Sequence, residues 1–123
     1  MPAPIYGDVQ VSNLSKLMDV AQLRAKVHAA NIANQNTPGY HAKRVAFEDS
    51  FREALVAGKP ADEIDPVIFE PRNTAEQPDG NDVSVDREVL DQAENSTLYN
   101  TYLAMIQGKK KLLTIAISTA PGG

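Results

Sequence analysis

Residues 84–118 carry the feature that most constrains the fold of this chain, a helical pattern of roughly 35 residues. Its apolar residues recur mostly in steps of three and four, which is the spacing of a coiled-coil stripe. The stripe consists of Val85, Val89, Ser96, Tyr99, Leu103, Ile106, Leu113 and Ile117, with Ser96 as its one small polar member. A second row lies beside it, formed by Leu98, Tyr102, Met105, Leu112 and Ala116. The sequence therefore predicts a helix about 50 Å long that is apolar on two sides.

The ends of this helix are marked by charge and by turn residues. Asp79, Gly80, Asn81 and Val83 form the turn that leads into it, and Ser84 is a suitable N-cap. Acidic residues occupy its first third and Lys109–Lys111 its last third, an order that complements the helix dipole. Gly108 interrupts the pattern at a cost of about 1 kcal/mol relative to Ala. Close approach of another backbone is one reason for a glycine at that position.

A second long helix is predicted over residues 12–34. Two apolar rows cover much of its circumference: Leu14, Leu17, Met18, Ala21, Ala25 and Ile32 in one, and Val20, Leu23, Val27 and Ala30 in the other. Two long helices that are apolar on two sides cannot cover all four rows by packing once against each other. Because long exposed apolar rows mark interaction surfaces, the sequence predicts a subunit of a helical assembly.

A stretch from Asn31 to Tyr40 ends the first helix. It contains three asparagines, whose amides compete with the backbone for hydrogen bonds and favour helix ends. Pro38 cannot continue a helix, and Pro38-Gly39 suits the centre of a type II turn with Gly39 at positive φ. Residues 35–46 are accordingly predicted to be a turn and connector.

The middle of the chain is predicted to hold little regular structure. Phe47, Phe51 and Leu55 recur every four residues, so a short helix is expected over 48–57 with Gly58 as its C-cap. Residues 59–82 hold four of the eight prolines and are expected to form a loop, or a small hairpin that includes 67–69. The fold class is therefore mainly α in a single domain. Long N- and C-terminal helices pack as an antiparallel, coiled-coil-like pair, with a short helix and an irregular loop or small hairpin between them.

Composition argues against several classes of function. Sixteen acidic against twelve basic residues give a net charge of -4, which does not favour nucleic-acid binding. The chain has no cysteine for thiolate metal sites or thiol chemistry. His28 and His41 lack metal-ligand spacing, and the turn at residues 79–82 fails the calcium-loop template. We therefore expect no enzyme activity, catalytic residue, metal or cofactor. No apolar run approaches the length of a membrane span, and residues 1–4 lack the features of a cleaved secretory signal.

Two separated motifs resemble those of one family. Residues 31–40, ANIANQNTPGY with the preceding alanine, resemble the N-terminal signature of bacterial flagellar rod, hook and hook-associated proteins. Residues 79–88, DGNDVSVDRE, and residues 93–100, AENSTLYN, resemble the companion segment of the proximal rod members. Asp82 stands where that family usually has a second Asn.

The resemblance implies a structural role in the rod of the flagellar basal body. It implies export through the flagellar type III apparatus without a cleaved signal, assembly with further copies into a helical tube in the periplasm, and contacts with FlgC, FliE and the MS ring. Subunit contacts are expected from the two apolar rows and from the motif residues Asn31, Ile32, Asn34, Thr37, Pro38, Gly39 and Tyr40. The alternatives are the related proximal rod protein FlgC, a free-standing helical adaptor or export chaperone that binds a partner helix, and, most weakly, an enzyme using a histidine.

Overall fold

The structure is a computed structural model that describes the backbone of residues 6–119 and the side chains from residue 10 onward. In chain order its elements are α1 (Tyr6–Ala33), β1 (Arg44–Ala46), α2 (Glu48–Ala57), a 3-10 turn (Ala61–Glu63), β2 (Val67–Phe69) and α3 (Val85–Thr119). Long N- and C-terminal helices with a short helix and a small sheet between them confirm the predicted fold class.

The two long helices pack against each other in antiparallel directions. Lys109, near the end of α3, donates to the side chain of Gln10, near the start of α1. Glu88, at the start of α3, binds His28, near the end of α1. Between these points, the Tyr99 hydroxyl accepts a hydrogen bond from Gln22. The pair therefore runs alongside for most of the length of α1.

Polar side chains fill much of the interface where the first half of α3 meets α1. The Asn95 amide donates to the backbone oxygen of Ala21 at 2.7 Å, and the Gln92 amide donates to that of Ala25 at 3.3 Å. Farther along, Ile106 of α3 is buried, as are Leu14 and Ala21 of α1. The interface thus combines hydrogen bonds to the α1 backbone with apolar contact.

A small apolar core holds the middle of the chain on α1. Its buried members are Val20, Phe47, Phe51 and Ala61, and Leu17, Val45 and Ile64 pack around them. The rings of Phe47 and Phe51 stack with their centroids 5.2 Å apart. This core places α2 and the 3-10 turn against the side of α1.

Arg24 joins three elements beside this core. Its guanidinium forms a two-pronged ion pair with the Glu48 carboxylate at the start of α2 and donates to the backbone oxygen of Val45 in β1 at 3.1 Å. Partial burial tends to raise the pKa of Glu48, but the hydrogen bonds and the charge of Arg24 outweigh it and leave that pKa below its usual value. The start of α2 is therefore anchored to α1 by charge as well as by packing.

The structure differs from the sequence prediction in two elements. The helix expected to begin at residue 12 begins at Tyr6. Gln10 in this additional length is bonded to Lys109 of α3, and the single glycine there is tolerable in a helix. The connector predicted over residues 35–46 contains β1, which pairs antiparallel with β2 in the register Arg44–Phe69, Val45–Ile68 and Ala46–Val67. The expected strand at residues 67–69 is β2, and its partner β1 lies before α2 in the chain. The two strands meet because the chain folds back at α2.

Replacing Phe47 by Ala should destabilise the chain by about 3–5 kcal/mol, since it empties the centre of a small core. Urea unfolding followed by circular dichroism would measure the change. Val56→Ala is the control, because Val56 on α2, the helix that follows Phe47, is 87% exposed and its truncation should have almost no effect. Equal effects of the two substitutions would contradict the assignment of the core.

Candidate functional site

The two sequence motifs, far apart in the chain, meet at the end of α1. Gly39 N donates to the backbone oxygen of Asp79 at 2.9 Å, and Asp82 N donates to that of Tyr40 at 3.2 Å. We call this contact between residues 31–43 and residues 77–83 the asparagine lock, because two fully buried asparagines, Asn31 and Asn81, hold it. The lock sets the path of the chain into α3.

Asn31 fastens the connector to the helix that it leaves. Its amide nitrogen donates to the backbone oxygen of Lys43 at 2.9 Å, and its amide oxygen accepts from Lys43 N at 3.0 Å and from the Tyr40 hydroxyl at 3.2 Å. One side chain therefore satisfies both backbone groups of Lys43, as a neighbouring strand would do. The connector is held on the last turns of α1.

Asn81 closes the end of α1 from the other motif. Its amide nitrogen donates to the backbone oxygens of Asn34 and Thr37, both at 2.8 Å, and its amide oxygen accepts from Val83 N at 2.8 Å. These two carbonyls lie in the turn beyond α1, where they also accept from Thr37 N at 3.0 Å and from Tyr40 N at 3.2 Å. Because a carbonyl oxygen has two lone pairs, the Asn81 amide adds a second bond to each and ties this turn to a residue more than forty positions away.

Two glycines allow the backbones to approach at the lock. Gly39 has φ +73° and Gly80 has φ +84°, both in the left-handed region that favours glycine. A Cβ on Gly80 would lie 3.4 Å from the Cα of Gly39. The predicted positive φ at Gly39 is present, and the hydrogen bond from Tyr40 N to the oxygen of Thr37 at 3.2 Å closes the turn.

Asn34 acts within the same turn. Its amide nitrogen donates to the backbone oxygen of Ala30 at 2.8 Å, and its amide oxygen accepts from the Thr37 hydroxyl at 3.0 Å. The amides of Asn31 and Asn34 are thus both engaged inside the chain. Pro38 lies exposed at the tip of the turn, and Ile32 is half-buried on α1.

Asp82 stabilises the outer side of the lock through its carboxylate. Its side chain is only 1% exposed, and it accepts hydrogen bonds from Ala42 N at 2.6 Å and from the Thr74 hydroxyl, with His41 Nδ1 at 3.3 Å. Burial acts to raise the pKa of Asp82, but the bonds from Thr74, Ala42 and His41 together hold that pKa below its ordinary value. The carboxylate at this position therefore binds the connector in its ionised form.

A buried charge network lies next to the lock and joins α1, β1 and α3. Glu88, 1% exposed, has one carboxylate oxygen 2.6 Å from His28 Nδ1 and the other 3.9 Å from the guanidinium of Arg44. Arg44 also donates to Asp91 at 3.0 Å. Because removing either partner would leave a buried charge or polar group unpaired, the network favours one alignment of α3 along α1.

The other predicted contact residues divide between the interior and the surface. Leu14, Ala21 and Ile106 are buried, whereas Val89 is 56% and Ile117 is 75% exposed. The half-buried members are Leu17, Val85, Tyr99, Leu103 and Leu113. At the turn before α3, Asp79 accepts from Asn81 N, Val83 is buried, and the Ser84 hydroxyl accepts from Arg87 N at 3.4 Å.

The side of α3 that faces away from α1 carries a row of large apolar side chains, interrupted by polar residues such as Glu94 and Thr101. We call it the outer stripe, and it consists of the exposed residues Leu90, Leu98, Met105, Leu112 and Ile115. Steps of eight, seven, seven and three residues place them on one side of the helix. The structure thus presents a long apolar surface beside a polar, hydrogen-bonded internal contact.

The described residues form several clefts. A cleft of about 160 Å³ between α1, β1 and α3 is lined by Arg24, Val27, His28, Arg44, Val45 and Asp91. Three others, of about 450, 420 and 410 Å³, lie at the turn before α3, between the middles of α1 and α3, and beside Asp82; their volumes fall within the roughly 300–1,000 Å³ of ligand pockets. Among residues 10–119, whose side chains are described, there is no group of three side chains arranged to hold a metal ion. Over the same range no helix has the length and apolar character needed to cross a membrane.

Comparison with known proteins places these features in a family. The profile described as "Flagella basal body rod protein" matches residues 18–41, the part of α1 that leads into the lock. The flagellar basal body rod protein FlgB of Bacillus subtilis (strain 168) is 33% identical over 110 residues, covering 80% of this chain and 85% of that protein. FlgB of Escherichia coli (strain K12) is 33% identical over 107 residues, covering 72% and 78%. FlgB of Yersinia ruckeri is 31% identical over 110 residues, with the same coverage.

These matches define the class of this mainly helical chain, which is a structural protein of the flagellar rod. The chain belongs to the flagellar basal body rod protein family, as a relative of FlgB. The family resemblance of the two motifs is confirmed, and FlgB is favoured over the alternative FlgC because these relatives bear the FlgB name.

Sequence reasoning assigned several of these residues to smaller roles. Asn81 was expected only in a turn, yet it binds the turn that follows α1. Glu88 falls among the acidic residues expected near a helix start, yet it binds His28 of α1, which is itself buried. The signal available was that Asn81 and Glu88 lie in the second motif. No local pattern shows which groups they contact.

Asn81→Asp should destabilise the chain at least as much as Asn81→Ala, by about 2–4 kcal/mol. The carboxylate keeps the acceptor for Val83 N but places charge against the two carbonyls that the amide nitrogen now serves. Thermal and urea unfolding would measure both variants. The control is Asn36→Ala, an exposed asparagine in the same turn, which should be nearly neutral. A benign Asn81→Asp would contradict the hydrogen-bond assignment.

Stability should fall in acid partly through Asp82. Because the pKa of Asp82 is lower in the folded chain, the unfolded chain binds more protons at low pH. The stabilisation from Asp82 is therefore complete above about pH 4, the ordinary pKa range of Asp. It is lost as the pH falls through the lower pKa that Asp82 has in the folded chain. Asp82→Asn, which cannot ionise, should differ from the natural chain more at pH 7 than at pH 2–3. Urea unfolding across this range tests this, and a difference independent of pH would refute it.

Proposed function

We propose that the chain is a non-enzymatic subunit of the proximal rod of the bacterial flagellum and carries torque in the drive shaft by helix packing. The observation that carries the proposal is the outer stripe of α3 in a chain of the rod protein family. Five large apolar side chains on one face, 47–67% exposed, require a partner surface. A subunit of a tube obtains that surface from its neighbours.

The internal contacts fit the same role. A subunit that transmits torque needs its two helices fixed relative to each other, and the asparagine lock and the Glu88 network provide connections at one end of the pair. The apolar rows of α1 and α3 then act as parts of one rigid surface. In this proposal the exposed Val89 and Ile117 belong to subunit contacts, together with the turn at Thr37, Pro38 and Gly39.

The proposed setting follows from the rod role. The chain would be exported by the flagellar type III apparatus without a cleaved signal and would assemble in the periplasmic part of the basal body. Its partners there would be further copies of itself, FlgC, FliE and the MS ring. The free-standing adaptor or chaperone remains the second candidate, because an exposed apolar helix face also suits binding of one partner helix.

Basal-body purification separates these functions. In a host lacking its own copy of the gene, the tagged chain should restore swimming and should co-purify with intact basal bodies after detergent and salt washes. An adaptor would restore swimming while remaining in the soluble fraction. If the chain is absent from basal bodies of swimming cells, the rod proposal fails.

A histidine variant tests the enzyme alternative in the same assay. His41→Ala is the suitable substitution, because His41 has a 40% exposed side chain, whereas His28 is buried against Glu88 and its loss would disturb the fold. Swimming should remain normal in His41→Ala cells. Loss of swimming with normal incorporation into basal bodies would instead favour chemistry at His41.

A further inference from the structure

The outer stripe contains a glycine that the fold of the chain itself does not require. Gly108 lies between Met105 and Leu112, three and four residues from them, and so on the same side of α3. A Cβ built on Gly108 meets no atom within 4 Å, and its φ is not in the left-handed region. Since glycine inside a helix is less favourable than alanine, a reason for it has to lie outside the chain.

Close approach of another helix supplies such a reason. At Gly108 the helix surface has a gap with no side chain, bounded by the exposed Met105 and Leu112. A large apolar side chain of a facing helix can enter a gap of this kind, which lets the two backbones come closer than alanine would permit. The stripe itself offers such side chains, and Leu90 at its other end is 60% exposed.

The charges on α3 indicate how a second copy would lie. The exposed acidic residues Asp86 and Glu94 lie one turn before and after Leu90, and the exposed Lys111 lies one turn after Gly108. Two copies side by side without displacement would place like charges together. A parallel copy displaced from Leu90 to Gly108, roughly 27 Å along the helix, brings Glu94 of one copy to the level of Lys111 of the other.

We propose that the outer stripe is a docking site for α3 of a second copy, parallel and displaced by roughly 27 Å, with Leu90 of one copy seated over Gly108 of the next. This rests on the proposed rod function and specifies one of its contacts. Because the two ends of the stripe are different surfaces, the contact is heterologous and leaves a free end on each copy. It therefore continues into an open chain of subunits.

Gly108→Ala should change folding and assembly in opposite directions. In the purified chain it should raise the midpoint of thermal unfolding, because alanine favours the helix and meets open space. In cells it should reduce the amount of the chain in basal bodies at least tenfold, because the added methyl group occupies the gap. Ser96→Ala, at an exposed position of α3 off the stripe, is the control and should leave assembly unchanged. Normal assembly of Gly108→Ala would overturn the proposal.

Cysteine cross-linking identifies the occupant, since the natural chain has no cysteine. The double variant Leu90→Cys/Leu112→Cys has its thiols roughly 33 Å apart within one chain, so a short bis-maleimide can join them only between copies. In cells that assemble rods, it should give a ladder of multimers, and either single variant should give almost none. Dimers alone, equal products from a single variant, or products containing another protein would each overturn the proposal.

The two proposals fail in distinguishable ways. If the natural chain does not enter basal bodies, the rod function fails. If it enters them and the double-cysteine variant does so without forming a ladder, only the displaced contact between α3 helices fails.

Discussion

The hydrogen bonds of Asn81 are the contact on which the rest of the structure depends. The carbonyls of Asn34 and Thr37, just beyond the last turn of α1, accept turn hydrogen bonds from Thr37 N and Tyr40 N, and the buried Asn81 amide donates a second bond to each of them. The same side chain holds Val83 N at the entrance to α3. The end of one long helix and the start of the other are therefore joined through a single amide. Asn31 completes the arrangement by fastening the connector to α1, so that the chain leaves and returns at a defined place.

From this joint the two helices are aligned by polar contacts before apolar ones. Glu88 meets His28, Gln92 meets the oxygen of Ala25, and Asn95 meets the oxygen of Ala21. Hydrogen bonds have directions and fixed partners, so a displacement by one turn would leave buried polar groups unpaired. Apolar packing alone tolerates such displacement more easily. The polar contacts thus keep the helix pair in one alignment, and much of the apolar surface of α3 remains on the outside.

That distribution suits a protein that completes its packing in an assembly. The outer stripe is exposed in the single chain, and its burial by a neighbour would supply the hydrophobic driving force for association. Gly108 fits the same division, since it weakens the isolated helix and offers a gap to a partner. Stability of the subunit and stability of the assembly consequently rest on different residues. In a rod protein, this separation lets the subunit fold before its assembly contacts are made.

The sequence by itself determined the helical class, α2 with its glycine cap, the positive φ at Gly39 and the family, because these depend on local periodicity, local backbone preference and short motifs. Only the tertiary structure decided that β1 pairs with β2 across α2, that Asn81 caps α1, and that Glu88 rather than Val89 faces the first helix. Those contacts join residues more than twenty positions apart, and adjacent positions on a helix differ by about 100° in direction. An apolar pattern on two sides of a helix does not determine which side faces the interior. In this chain the buried polar contacts, such as that of Glu88 with His28, determine it.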